Sequence, residues 1–294
     1  MAGIEPTSPS VADFDACLAE PASLVETACG LMEYGERGDG PVLVSVHGSP
    51  GDYRQGLLMA EYLRANGFRV IAPSRPGYGG TPLATGRTSE EQADAVVALL
   101  DALAVDRVAV LGVSGGGPAS YALAGRHPDR VGCLLEVDSL CLPMPPNRLE
   151  RLGFSSRPLV ALQLWLVDHF PGRMLRQLGG TSNPGPQETA DRAALLRAIV
   201  QSVSDWPRVR VGYDNDEAEF AALGELPFDQ IACPTLIVHG RADRSVPIAH
   251  AERAHAAISG SQVRVLPDGS HMAFFVDPDA QRGALAWLRR HAVS

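Results

Sequence analysis

The chain has 294 residues, 45% of them hydrophobic and 20% charged, with a formal net charge of −9 at pH 7. That balance fits a folded protein with a sizeable core rather than a disordered chain, and the acidic surface argues against nucleic acid or anionic membrane as a partner. No run reaches the ~18 consecutive apolar residues of a membrane span, and the opening MAGIEPTSPSVADFDACLAE has no basic or apolar leader region, so a cytoplasmic location is expected. Cys17, Cys29, Cys133, Cys141 and Cys233 are odd in number and form no C-x-x-C pair, which reads as free thiols.

Residues 1–22 read as a flexible lead. From about Ser23 onward, short β-branched runs alternate with helical patterns, the signature of a parallel sheet covered by helices. Ala22–Gly38 suits an antiparallel pair. Strands are expected over Pro41–Val46, Phe68–Ala72, Arg107–Leu111, Val131–Val137, Pro234–His239 and Gln262–Leu266, nearly continuous in apolar character as in strands buried on both faces. Helical patterns fall over Tyr53–Asn66, Ser89–Ala104, Pro118–His127, Ile248–Ser259 and Asp279–His291. Between Ser139 and Phe228 the alternation stops, leaving only helical patterns at Leu159–Phe170, Gly172–Leu178, Gln187–Ser204 and Val211–Leu223. Ligands in open parallel sheets bind beyond the carboxyl ends of the strands, so an insertion there would roof the site. Residues 1–138 and 229–294 are therefore expected to form one core, with 139–228 as a helical cap.

The stretch Gly112-Val113-Ser114-Gly115-Gly116 is G-x-S-x-G between a strand and a helix, the sharp turn that projects a serine hydroxyl from a sheet. A serine needs a base, and the base needs an orienting acid. His271, in GSHMAFF after the last strand, and Asp243, in HGRADRSVP after the preceding one, fall at strand ends in the order Ser…Asp…His. Asp138 and Glu136 are the alternative acids. His127 reads as a helix cap, His239 as a packed strand-end residue, and His47 as a loop tie. Donors for a developing oxyanion are expected from the N–H of Gly115 and, in the loop His47–Gly51, from Ser49, with Gly51 second, since Pro50 has no N–H. Motifs for phosphate, dinucleotide or metal binding are absent, so neither cofactor nor metal is expected.

With HGSPG, SRPGYGGT, GVSGGG, CPTLIVHGRADRSVP and GSHMAFF together, the chain resembles the α/β-hydrolase fold superfamily over nearly its whole core. The resemblance implies a mostly parallel eight-stranded sheet flanked by helices, a cap inserted after the sixth strand, and a Ser114–His271–Asp243 triad. The H-G-x-P loop is similar to that of epoxide hydrolases and haloalkane dehalogenases, which carry an aspartate where this chain has Ser114. HGSPG also looks like the HGGPG of proline iminopeptidases, whose elbow has tryptophan at the position of Gly115.

The expected activity is hydrolysis of a small or medium apolar carboxylic ester through an acyl-enzyme. A C–C bond hydrolase, an amidase or aminopeptidase, a perhydrolase and a non-turnover ligand-binding protein are the alternatives on the same scaffold. Tyr53, Trp165, Trp206 and Tyr213, with Phe154 and Met144, are candidates for the substrate pocket, each serving equally as core packing. The acidic stretch 214–219 reads as a solvated helix face. The partner expected is a small-molecule substrate, with a homodimer left open.

Overall fold

The computed structural model describes residues 5–179 and 186–292. Its centre is an eight-stranded sheet in the order β1-β2-β4-β3-β5-β6-β7-β8. The strands are β1 (Ser23–Thr27), β2 (Gly30–Arg37), β3 (Val42–Val46), β4 (Arg69–Pro73), β5 (Val108–Val113), β6 (Val131–Val137), β7 (Thr235–Gly240) and β8 (Gln262–Leu266). β2 runs antiparallel to β1 and to β4, and every other pairing is parallel. The expected strands thus form within one to two residues of their sequence limits, and the antiparallel pair forms where Ala22–Gly38 placed it.

Successive side chains on a strand point to opposite faces, and here both faces are apolar. Ala109, Leu111 and Val113 of β5 pack on one side with α2 (Tyr53–Ala65) and α12 (Pro278–His291). Val108 and Val110 pack on the other with α3 (Ser89–Ala102), α4 (Gly117–Arg126) and α10 (Ala249–Ala257). The helices begin where local hydrogen bonding dictates. Asp52 accepts from the N–H of Arg54 at the head of α2, Thr88 and Glu91 form a capping box on α3, and Asp277 accepts two amides of α12.

Between β6 and β7 lie five helices and, among the described residues, no strand: α5 (Arg148–Ser155), α6 (Arg157–His169), α7 (Pro171–Gly179), α8 (Pro186–Ser202) and α9 (Trp206–Ala221). α5 was not apparent from the sequence, because Pro145 and Pro146 precede it and Gly153 interrupts it. A short α11 (Ala273–Val276), carrying Phe274 and Phe275, precedes α12. Among the described residues no helix is long and apolar enough to cross a membrane.

The expected flexible lead is corrected: Val11–Ala19 is a helix, α1, closed at its start by a Ser10–Asp13 capping box. Phe14 and Cys17 are buried from it, the Cys17 thiol donates to Glu61 of α2 at 3.2 Å, and α1 packs against both α2 and α8. A single helical turn and a half of apolar contact hides well in a Pro/Ser-rich opening. Phe14→Ala is expected to cost about 3–5 kcal/mol in denaturant-induced unfolding. A loss below about 0.5 kcal/mol, the range of surface changes, would show that α1 contributes nothing to the fold.

Candidate active site

Ser114 ends β5 with φ +52°, a left-handed conformation that costs a residue with a side chain roughly 1–2 kcal/mol. The turn is possible because Gly112 has no side chain: a Cβ there would run into the Ser120 hydroxyl and the Glu136 carboxyl. α4 then starts at Gly117, with Pro118 in its first turn, and points its N-terminal dipole at Ser114.

Ser114 Oγ lies 3.0 Å from His271 Nε2, and His271 Nδ1 lies 2.7 Å from Asp243 Oδ2. A carboxylate only accepts, so Nδ1 carries the proton and Nε2 is left to accept from the serine hydroxyl. Asp243 is buried, and its Oδ1 accepts from the amides of Ser245 at 2.8 Å and Val246 at 2.9 Å. Burial pushes this carboxyl up, but the His271 hydrogen bond, the His271 charge and the Val246 amide outweigh it, holding the pKa below the ordinary value.

The alternative acids sit nearby in different states. Asp138, at φ +47°, accepts from the Gly240 amide at 2.8 Å, and burial raises its pKa to about 8, aided by the neighbouring Asp243. Glu136 is raised by burial to about 8 while accepting from Ser120 at 2.5 Å. His239 packs as expected and donates from Nε2 to the Val246 carbonyl at 2.8 Å, its pKa lowered chiefly by burial. Asp138, His239 and Asp243 bring ligand atoms within 4.8 Å of one another. The principal bonds of that set go to protein groups, Gly240, Val246 and His271, so it reads as a hydrogen-bonded cluster.

His47 ties its loop, as expected. Its Nδ1 donates to the Gly48 carbonyl at 2.7 Å and its Nε2 accepts from the Arg75 amide at 3.0 Å. The loop abuts the elbow: a Cβ on Gly48 would lie 3.3 Å from that of Ser114, and one on Gly115 2.7 Å from that of Ser49. Ser49 and Gly115 therefore face the same point beside Ser114.

The three strand ends open into a cavity of about 380 Å³. Four of the chain's six methionines line it, Met59, Met144, Met174 and Met272, with Phe154, Tyr213 and Phe220. Of the aromatic candidates, Tyr213 and Phe154 reach this cavity, as does Met144. Tyr53 does not: its ring is buried, with the hydroxyl donating to the Glu20 carbonyl at 2.7 Å. Trp165 is 47% exposed on the outer face of α6, stacked on His169. Trp206 packs edge-on against Tyr213 and borders a separate recess. The acidic stretch is also corrected: Asp216 is buried against Arg75 and Tyr78, and Glu217 lines the cavity. A stripe at 213, 217 and 220 on α9 is the helical signal for that wall.

The model of the alpha/beta hydrolase fold family matches residues 41–278, and the chain belongs to that family. It is a hydrolase of the α/β fold. An alpha/beta hydrolase fold protein from Nakamurella multipartita is 36% identical, with a TM-score of 0.78 over 92% of this chain and 99% of that one. The uncharacterized hydrolase YcgS of Bacillus subtilis (strain 168) is 28% identical over 267 residues, 87% of this chain and 93% of that protein. A 2-hydroxy-6-oxononadienedioate/2-hydroxy-6-oxononatrienedioate hydrolase of Cupriavidus pinatubonensis (strain JMP 134 / LMG 1197) is 28% identical over 243 residues, 79% of this chain and 80% of that protein.

The raised acid behind the elbow has a pH consequence. Glu136 holds its proton to about 8 in the folded state, against an ordinary value near 4.5. Between these values the folded chain binds the extra proton, so stability falls as pH rises through that window. Glu136→Gln mimics the protonated acid. Its melting temperature relative to the wild type is expected to rise steadily from pH 5 to pH 8.5, and a pH-independent difference would contradict the assignment.

Proposed function

We propose that the chain is a serine hydrolase cleaving small or medium apolar carboxylic esters through an acyl-enzyme on Ser114. The observation that carries this reading is the unbroken chain of hydrogen bonds from Ser114 Oγ through His271 to the Asp243 carboxylate, on the wall of a largely apolar cavity. In the first half-reaction Ser114 Oγ bonds to the ester carbonyl carbon while its proton passes to His271 Nε2. Asp243 stabilises the imidazolium so formed, and the N–H groups of Ser49 and Gly115 hold the oxyanion. The tetrahedral species collapses, the C–O bond to the alcohol breaks, and His271 returns the proton to the departing oxygen. Water then repeats the sequence on the acyl-enzyme, releasing the acid and restoring Ser114.

C–C bond hydrolysis is the competing reading, with a dioate substrate such as the one named for the Cupriavidus relative. Among the described residues lining the cavity there is no arginine or lysine; besides His271 its ionisable groups are the Tyr213 phenol and Glu217, whose carboxylate is engaged by Arg151 at 2.7 Å. A substrate carboxylate would be desolvated there without a cationic partner. This favours uncharged esters.

A fluorophosphonate probe is expected to label Ser114 stoichiometrically. Ser114→Ala should abolish labelling and lower p-nitrophenyl ester turnover by roughly 10⁴–10⁶-fold, and turnover surviving that change would refute the reading. In a matched pair of esters, adding a terminal carboxylate to the acyl chain should lower kcat/KM by at least roughly tenfold, with equal rates arguing for the competing reading.

A further inference from the structure

The loop carrying Ser49 is held from behind by a residue of the cap. Arg75 and Asp216 form a two-pronged ion pair, Nη1 to Oδ1 at 2.9 Å and Nη2 to Oδ2 at 2.6 Å, with side chains only 3% and 2% exposed. The same guanidinium donates from Nε to the His47 carbonyl and from Nη2 to the Gly48 carbonyl, each at 3.1 Å. His47 Nδ1 donates to that Gly48 oxygen as well, and burial, then the Arg75 charge, keep the imidazole neutral by holding its pKa well below the ordinary value.

The Gly48–Ser49 peptide is trans. In a planar trans peptide the carbonyl and the following N–H point in opposite directions. Fixing the Gly48 oxygen on Arg75 therefore fixes the Ser49 N–H away from the guanidinium, toward the cavity that Ser49 lines. Among the described residues that N–H has no acceptor.

A second branch holds the Ser49 side chain. The Tyr78 hydroxyl donates to Asp216 Oδ2 at 2.5 Å, and since a carboxylate only accepts, the phenolic oxygen is left to accept from the Ser49 hydroxyl at 3.0 Å. Both branches converge on Asp216, one residue from Glu217 on α9. That helix is seated on the core by backbone bonds, Gly212 N–H to the Gly77 carbonyl at 2.8 Å and Gly79 N–H to the Arg208 carbonyl at 3.1 Å. A side chain at Gly212 would run into the Tyr78 ring, so the contact demands glycine there.

We infer that Asp216 is a positioning residue for the oxyanion donor. Through Arg75 and Tyr78, the last cap helix aims the Ser49 N–H at the carbonyl oxygen of an ester bound on Ser114. The inference rests on the serine-hydrolase reading and extends it: the cap supplies substrate contacts from one flank of α9 and sets the transition-state donor from the other.

The test is ester kinetics normalised to active sites titrated with the fluorophosphonate, for the wild type, Tyr78→Phe, Asp216→Asn and Ser49→Ala. Tyr78→Phe keeps the ring against His47 and Arg75, so it preserves the fold even if Asp216→Asn, which strands a buried guanidinium, does not. The expected result for Tyr78→Phe is a fall in kcat per titrated site of roughly 10–100-fold, with KM and the pH profile of kcat/KM little changed. The double variant Tyr78→Phe/Ser49→Ala should lose no more than the larger single change, because both break the Ser49–Tyr78 bond. A purely structural role would lower melting temperature and the titratable fraction while leaving kcat per site intact, and that outcome overturns the inference. A wild type that neither takes the probe nor turns over esters overturns the serine-hydrolase reading, and this inference with it.

Discussion

The geometry of the site depends on one backbone constraint, the left-handed conformation of Ser114 at the end of a buried strand. A residue with a side chain stays there only when its surroundings over-determine it, and several do. The Ser114 carbonyl accepts from the Leu140 amide at 2.9 Å, Gly48 lies so near that a Cβ on it would come within 3.3 Å of that of Ser114, and α4 begins three residues later. Without that turn the hydroxyl would follow the alternation of β5 into one face of the core, out of reach of His271.

Around this turn the protein arranges charge with economy. The loops after β3, β4, β5, β6, β7 and β8 converge at the carboxyl rim of the sheet, and three of the acids there are buried: Glu136, Asp138 and Asp243. Two take up protons and one stays ionised. The difference is hydrogen bonding, because Asp243 alone combines two loop amides with an imidazole N–H. The result is a single carboxylate charge aimed at His271, flanked by neutral groups that would otherwise repel it. Beneath α9 the logic is reversed. Arg75 and Asp216 remain a charged pair in the interior, an arrangement that seldom adds stability over apolar packing but costs about 3–5 kcal/mol to break. What such a pair provides is direction, since its two prongs hold the Asp216 carboxylate while Nε and Nη2 also donate to the His47 and Gly48 carbonyls.

Much of this was legible in the residue order, and the remainder was not for physical reasons. Strands buried on both faces announce themselves as apolar runs, which is why PVLVSV and VGCLLEV were readable to within a residue or two. Ser114, Asp243 and His271 were readable because they sit at strand ends in fixed order, a one-dimensional trace of a three-dimensional rim. The pocket was not. Trp165 and Tyr213 occupy similar helical patterns, yet one faces solvent and the other the cavity, since which flank of each helix turns inward is decided by packing between helices. Asp216 in DNDEAE looks like its more exposed, acidic neighbours, and nothing local marks the one position in that run that is buried, with a partner 141 residues earlier. The helix at Val11–Ala19 was masked by a Pro/Ser-rich approach, although Ser10 and Asp13 do spell a capping box.

The methionines on the cavity wall have a consequence for selectivity. A thioether is unbranched, soft and polarisable, with three torsions it can rearrange at little cost. Four of them around one chamber make a wall that remodels itself to its guest rather than rejecting misfits by contour. On the serine-hydrolase reading proposed above, discrimination among acyl groups in such a chamber falls to bulk volume and ionic character. On that reading the molecule would be strict about where a carbonyl sits and tolerant about what is attached to it.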